Sequence, residues 1–353
     1  MLETYGWSPA LQEAFAPHAA DGLVPGRVIA QHRGSYQLIT SAGEVRAEIS
    51  GRLARDADPG GYPAAGDWVA AEPPAGDGPA IIHAVLPRRT AFTRKAAGRA
   101  GEAQVVAANV DVAFLVASLN ADLNPRRLER YLAAAWQSGA APVILLTKAD
   151  TSPDPAAAAG RIEAGGAPVH ILSSVTGEGL DAVRAYLKPG VTAVMVGSSG
   201  AGKSTLANVL AGAERMAVGA IREDDARGRH TTSHRELILL PGGGLLLDTP
   251  GMRELALFEA EEGVAATFED IEALAASCRF SNCAHEREPG CAVRAALQAG
   301  ELDEGRWRSY RKLGRELEHL ARQEDPLLRE QNRRRWMQIH KANRARYKAR
   351  ERE

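Results

Sequence analysis

The chain has 353 residues, 45% of them hydrophobic and 25% charged, with a formal net charge of −1. That composition belongs to a globular protein of two or three domains and excludes a chain that holds nucleic acid by overall positive charge alone. No apolar run approaches the roughly 20 residues of a membrane span, so no partnership with a membrane is expected.

The N-terminus, MLETYGWSPALQEAF, lacks the positive start and apolar run of a signal peptide. All three cysteines fall between Cys278 and Cys291. Together these predict a cytoplasmic chain with reduced thiols. From residue 22 to 95 the sequence reads as short β segments (GRVIAQHRGSYQLITSAGEVRAEISG, GDWVAAE, AIIHAVLP) broken by Gly, Pro and Asp. This predicts a small closed or partly closed barrel, which the pattern leaves open as an oligonucleotide-binding module or a spacer. The basic segment PRRTAFTRKAAGR follows, with phosphate contacts as its expected use.

Residues 105–255 alternate buried strands and helices, predicting an α/β domain with a largely parallel sheet. VDVAFLVAS is a strand. NPRRLERYLAAAWQSG is a helix capped by Asn124, with Pro125 at its first position and Gly139 past its end. APVILLT, APVHILSS and TAVMVG are strands, and ELILLPGGGLLLDTPG reads as two strands around a glycine-rich turn.

The segment GSSGAGKS matches the phosphate-loop pattern completely, with a strand before it and a helix after it. Gly197, Ser198, Ser199, Gly200, Ala201 and Gly202 would turn backbone N–H groups toward phosphate oxygens. Lys203 would neutralise the β- and γ-phosphates, Ser204 would ligate Mg²⁺, and Thr205 can reach the α-phosphate. Asp248 in DTPG suits the Mg²⁺ shell, and the Gly251 N–H suits the γ-phosphate. Between them, ARGRHTTSHREL offers Thr231 or Thr232 to close over Mg²⁺ in a mobile switch.

Upstream of this loop lies TKAD. Asp150 can accept hydrogen bonds from guanine N1–H and the 2-amino group, a donor pair adenine lacks. The Lys148 stem can lie over the base, and Thr147 precedes it. SSVTGEGL follows its own strand and resembles the loop that supports guanine O6, placing Ser173 and Ser174 there. The order is guanine, guanine, phosphate, switch, switch, which is a circular permutation of a GTPase and leaves the second switch wired to whatever follows.

Residues 256–353 read as mostly helical. Cys278, Cys283, His285 and Cys291 are four soft ligands within a short stretch, suited to one tetrahedral, structural Zn²⁺, against the alternative of three unrelated buried cysteines. From Gln331 to Glu353 nine Lys/Arg stand against two Glu, a basic tail that is either an RNA contact or a solvated helix.

Taken in order, YGWSPALQEAF, LPRRTAFTRKAAG, TKAD, GSSGAGKSTLAN, GRHTTSHREL, DTPGMRE and CRFSNCAHEREPGCAV resemble the ribosome small-subunit-dependent GTPase family, RsgA or YjeQ, over nearly the whole chain. The resemblance implies three domains. Residues 1–95 would be an N-terminal segment and an OB-type barrel, 96–258 a circularly permuted P-loop GTPase domain, and 259–353 a mainly helical zinc-binding domain with a basic tail. It implies a GTP hydrolase acting as a monomer late in assembly of the small (30S) ribosomal subunit, in contact with 16S rRNA. The GTP form would dock, the subunit would stimulate hydrolysis, and the GDP form would leave. His230 is carried over from the family as the group that positions water.

Two residues depart from ordinary GTPases. Thr147 stands where Asn is commonest, weakening one tie between base and phosphate loop. Met252 follows DTPG where a water-positioning Gln often sits, so unaided hydrolysis should be slow. The competing reading is a nucleotide-switched rRNA-binding assembly factor in which hydrolysis is incidental, and stimulation of kcat by rRNA particles separates the two. A zinc-handling GTPase is disfavoured by the closed ligand set, and an ATPase by Asp150.

Overall fold

The computed structural model describes residues 1–32, 34–57, 60–95, 103–120, 123–162, 164–213, 235–248 and 260–324. Helix α1 (Pro9–Ala19) has Pro9 in its first turn, and the Ser8 hydroxyl accepts from the Leu11 N–H as its cap. Strands β1 (Val24–Gln31), β2 (Tyr36–Thr40) and β3 (Gly43–Ile49), helix α2 (Gly51–Asp56), and strands β4 (Trp68–Glu72) and β5 (Ala80–Val85) follow. The five strands neighbour one another in the order β1-β2-β3-β5-β4, and β4 pairs back onto β1. They therefore form a closed barrel, filled by Val28, Leu38, Ala47, Val69 and Ile82. Outside it, α1 lays Phe15 against Trp7, whose ring in turn meets Trp68.

Strands β6 (Ala91–Lys95) and β7 (Ala103–Ala108) pair antiparallel as a separate hairpin. Next come β8 (Val112–Ser118), α3 (Pro125–Ser138), β9 (Ala141–Thr147), α4 (Pro155–Ala159), β10 (Val169–Ile171), α5 (Leu180–Arg184), β11 (Thr192–Gly197), α6 (Lys203–Ala211), β12 (Arg235–Leu239) and β13 (Leu245–Asp248). Their order in the sheet is β10-β9-β8-β11-β13-β12. All run parallel except β12, which lies antiparallel to β13. Strands β8, β9 and β11 are apolar on both faces because helices cover both. On one face α3 contributes Leu128 and Leu132. On the other, α5 and α6 contribute Val183, Leu206 and Leu210.

The barrel is not tethered to this sheet but continuous with it. A bulge at Ile29 shifts the β1 register, and beyond it Ala30 and Gln31 pair with Glu236 and Arg235 of β12. An eleven-stranded sheet results. A buried guanidinium seals the junction. Arg27 donates to Gly66 O (3.2 Å), Asn109 O (3.3 Å) and Thr192 Oγ1 (2.8 Å), and to Tyr5 O. Burial pulls its pKa down to about 10 against the opposing pull of Asp111.

The remaining helices are α7 (Glu261–Thr267), α8 (Glu269–Ala276), α9 (Ala292–Ala299) and α10 (Glu304–Glu324). Of these, α7 and α10 dock on α3, with α8 against α7 and α9 against α8, and Val264, Phe268, Ile271, Val293, Leu313 and Leu317 join Leu128 and Leu132 in one core.

Candidate functional site

The phosphate loop leaves the centre of the sheet, where β11 lies between β8 and β13. Its backbone explains its glycines. A Cβ on Gly197 would meet the Val116 carbonyl oxygen at 2.2 Å, and Gly200 and Gly202 take the left-handed φ values 77° and 89°. Gly202 precedes α6 with no side-chain cap, so the first-turn N–H groups point into the loop as anion donors. Ser198, Ser199 and Ala201 line the turn, and Ser204 and Thr205 sit in the first turn of α6. Lys203 Nζ folds back over this loop and donates to Gly197 O (2.8 Å) and Ser198 O (2.5 Å). Asp248 ends β13 directly opposite Glu236. Burial raises its carboxyl above the usual range, Glu236 adds to that, and Lys203 opposes it.

The guanine-reading candidates come off the neighbouring strands. Lys148 follows β9 with φ 59°, a left-handed conformation uncommon outside glycine. It turns the chain so that Asp150 faces the loop after β10. There Ser173 Oγ donates to Asp150 Oδ1 at 2.5 Å and accepts from the Val175 and Thr176 N–H groups, each at 3.2 Å. Ser173 thus holds the carboxylate in place, a role its sequence position did not suggest. Ser174 follows in the same loop, and Val175 beside it is 81% exposed. Thr147 Oγ1 donates to Ala201 O at 2.7 Å, so the tie between base strand and phosphate loop is kept. Among the described candidates, Thr147, Lys148, Asp150 and Ser173 come together with the loop from Gly197 to Thr205. His230, Thr231, Thr232 and Gly251 lie outside the described residues, as do Met252 and the tail from Gln331 to Glu353.

A second cluster occupies the loop between α8 and α9. The ligand atoms of Cys278, Cys283, His285 and Cys291 all lie within 4.8 Å of one another. His285 Nδ1 is 3.6 Å from Cys278 Sγ and 3.5 Å from Cys291 Sγ, and the two sulfurs are 3.9 Å apart. Three thiols and one imidazole nitrogen facing a common centre form a set that can hold one metal ion. Glu288 folds the loop between the ligands by accepting from the Ala284, Glu286 and Arg287 N–H groups at 2.9–3.0 Å. Backbone N–H groups, its own first, bring its carboxyl down to about 2. The His285 ring also meets Trp307 of α10 edge-on at 5.6 Å.

The basic segment after the barrel is partly engaged inside the protein. Arg88 makes a bidentate pair with the buried Asp67 (2.7 and 2.8 Å) and donates to Gly60 O and Tyr62 O. Arg89 pairs with Asp111. Arg88 thus ties together segments of the barrel, and Arg89 links the chain leaving the barrel to the residue before β8, neither of which sequence spacing alone reveals.

A family model described as RsgA GTPase matches residues 85–258. A relative from Opitutus terrae, the small ribosomal subunit biogenesis GTPase RsgA, is 48% identical over 357 residues, spanning 98% of this chain and 97% of its own. The crystal structure of YjeQ from Thermotoga maritima superposes with a TM-score of 0.62 at 26% identity, covering 84% of this chain and 98% of that one. YloQ, described as a circularly permuted GTPase, superposes with a TM-score of 0.59 at 25% identity, over 84% and 96% of the two chains.

Proposed function

The chain belongs to the RsgA GTPase family, and from that premise we propose that it hydrolyses GTP to GDP and phosphate as a late assembly factor of the small ribosomal subunit, stimulated by the subunit through contact with 16S rRNA. The observation that carries the nucleotide reading is the Thr147–Ala201 hydrogen bond. It joins the end of β9, from which the turn bearing Asp150 leads, to the phosphate loop, so one ligand can reach both.

In this reading Asp150 accepts from guanine N1–H and the 2-amino group, Ser173 fixes its rotamer, and Lys148 lies along the base. The loop amides and Lys203 take the phosphates. Ser204 and Asp248 supply hard oxygen donors of the kind Mg²⁺ prefers, and the ion would neutralise charge on the β- and γ-phosphates when bound. Thr231 or Thr232 would close over it, and the Gly251 N–H would report the γ-phosphate. Met252 cannot orient water, so His230 is assigned to position the attacking water or accept its proton once the protein is docked. The Cys278, Cys283, His285, Cys291 set fits Zn²⁺, one per chain, because thiolates with one imidazole suit a closed tetrahedral site. The working unit is a monomeric cytoplasmic protein with functional boundaries near residues 95 and 258.

GTP turnover measured with and without purified small subunits tests the proposal. The expected result is slow turnover alone and a large rise in kcat on adding subunits. An unchanged kcat would leave a nucleotide-switched binding factor instead. His230→Ala should spare GTP binding and subunit binding but lower the stimulated rate by about 10²–10⁴-fold if the imidazole is the general base.

A further inference from the structure

We propose that the end of the barrel strand β1 is a positioning element for Asp248, and that the Gln31 backbone amide, acting through β12, sets how well the site distinguishes GTP from GDP. This rests on the reading of Asp248 as part of the γ-phosphate and Mg²⁺ side of the site, and it names a further part of the chain that controls that side.

Two hydrogen bonds fix which way each backbone faces. Just past β12, the Leu240 N–H donates to Gly244 O at 2.8 Å across the turn to β13. Backbone groups of successive strand residues face opposite sides, so Ile238 and Glu236 face β13 as Leu240 does, and Glu236 lies opposite Asp248. Leu237 and Arg235 face the other way, toward β1. On the β2 side of β1, the His32 N–H donates to Ser35 O at 2.9 Å. Gln31, one residue earlier, therefore turns its N–H and C=O to β12, where Arg235 is its partner. The route from barrel to site is short: Gln31 to Arg235, along the chain to Glu236, and across to Asp248. Neighbouring strands lie about 4.8 Å apart, which puts Asp248 roughly 10 Å from β1.

Among the described strands, β12 has β13 on one side and β1 on the other. Without β1 that side would be a sheet edge with its row of amides unpaired. The end of β1 is itself anchored. Arg27, earlier on the same strand, donates to Thr192 Oγ1 (2.8 Å) at the start of β11, the strand that leads into the phosphate loop. The barrel thus grips β11 directly and β13 through β12. In sequence, only Ser233 and His234 separate β12 from Thr232, one of the two switch candidates. Displacing Asp248 displaces its β12 partner against β1, and coupling between two sites acts equally in both directions.

The test is displacement of a fluorescent GDP analogue from the full chain by GDP and by a non-hydrolysable GTP analogue, in Mg²⁺ buffer. Gln31→Pro removes the amide that faces Arg235. Gln31→Ala removes only the side chain, whose Nε2 donates to Pro63 O at 3.4 Å. Gln31→Pro should lower affinity for the GTP analogue relative to GDP by about fivefold or more, and Gln31→Ala should keep the wild-type ratio. A folded Gln31→Pro protein with a lowered Tm and an unchanged ratio would make the pairing purely structural and overturn the proposal. Asp248→Asn separates the two levels. If it leaves the ratio unchanged, the reading of Asp248 falls and this proposal with it. If it shifts the ratio while Gln31→Pro does not, the proposal alone falls. Should Gln31→Pro fail to fold, amide exchange in the wild-type chain takes its place. The Gln31 and Arg235 amides should exchange more slowly with the GTP analogue bound than with GDP, and equal rates would overturn the proposal.

Discussion

Asp150 can read a base only if its carboxylate is held still. Two features hold it: the left-handed turn at Lys148 (φ 59°) and the 2.5 Å hydrogen bond from Ser173. Substituting Asp150→Asn replaces one acceptor face with a donor, so guanine N1–H and the 2-amino group lose a charged partner. GTP binding should weaken by roughly 1.5–3 kcal/mol, while xanthosine triphosphate, which presents an oxygen in place of the 2-amino group, should gain relative affinity. Competition binding with the two nucleotides measures both changes. The positions of Thr147, Lys148, Asp150 and the Gly197–Ser204 loop were legible in the sequence because each motif follows a run of buried strand residues. The work of Ser173 was not legible. Nothing in its spacing says that it donates to Asp150, since the two residues meet only once β9 and β10 lie side by side. Thr147 also reads differently in three dimensions. As a residue type it suggests a weakened tie, whereas its hydroxyl keeps the link to Ala201.

At the scale of elements, local signals were reliable and lateral ones were not. Helix α3 begins and ends where Asn124, Pro125 and Gly139 place its limits, with the Asn124 side chain accepting from the Arg127 N–H and Gly139 at φ 83°. The pairing of β1 with β12 could not be read, because strand neighbours far apart in sequence leave no local mark. The same holds for the approach of α7 to α3. A Cβ on Gly263 would meet the Ala133 carbonyl oxygen at 2.1 Å, and the Gly263 N–H donates to Gln137 Oε1. Gly263→Ala must push the helices apart, at about 1–3 kcal/mol by analogy with other overpacked sites, read as a lowered Tm with GTP affinity retained. The metal loop allows a sharper test. Protein purified without added zinc should hold about one Zn²⁺ per chain by metal analysis. Cys283→Ser should lower that occupancy and disturb the environment of Trp307, which touches His285. Full occupancy in the variant would remove Cys283 from the ligand set.

The whole molecule is held together by charge as well as by a shared core. Arg306 of α10 is 4% exposed and Glu129 of α3 is 2% exposed, and they meet at 3.2 Å. Arg306 also grips Asp270 through two bonds (2.6 and 2.8 Å), donates to Thr267 O (3.0 Å) and lies over the Phe268 ring at 4.7 Å. Arg126 approaches the same Glu129 oxygen at 2.5 Å and also pairs with Asp303, while Glu129 Oε2 has no partner among the described residues. Breaking such a cluster from one side differs from removing it. Arg306→Met leaves the Glu129 carboxylate buried with only Arg126 to balance it, and should destabilise by about 3–5 kcal/mol. Glu129→Leu combined with Arg306→Met removes both buried charges and exchanges them for apolar packing, so most of that loss should return.

Asp270 supplies a pH signature for the same joint. Burial works to raise its carboxyl, but the Arg306 hydrogen bonds and charge outweigh it, and the pKa falls below the ordinary 3.8. A carboxyl with a lowered folded-state pKa contributes stability that is complete above its unfolded value and is lost as pH falls through the folded one. Asp270→Asn should therefore destabilise at pH 7 and progressively less below about pH 4. In the double variant, where Arg306 is gone, Asp270→Asn should have little effect at either pH. Denaturant unfolding of the four proteins across that range measures all of these differences. Because α7 to α10 share one core with α3, each protein should unfold in a single transition. A separate early transition for the C-terminal helices would show that the Arg306 cluster does not bind them to the rest of the chain.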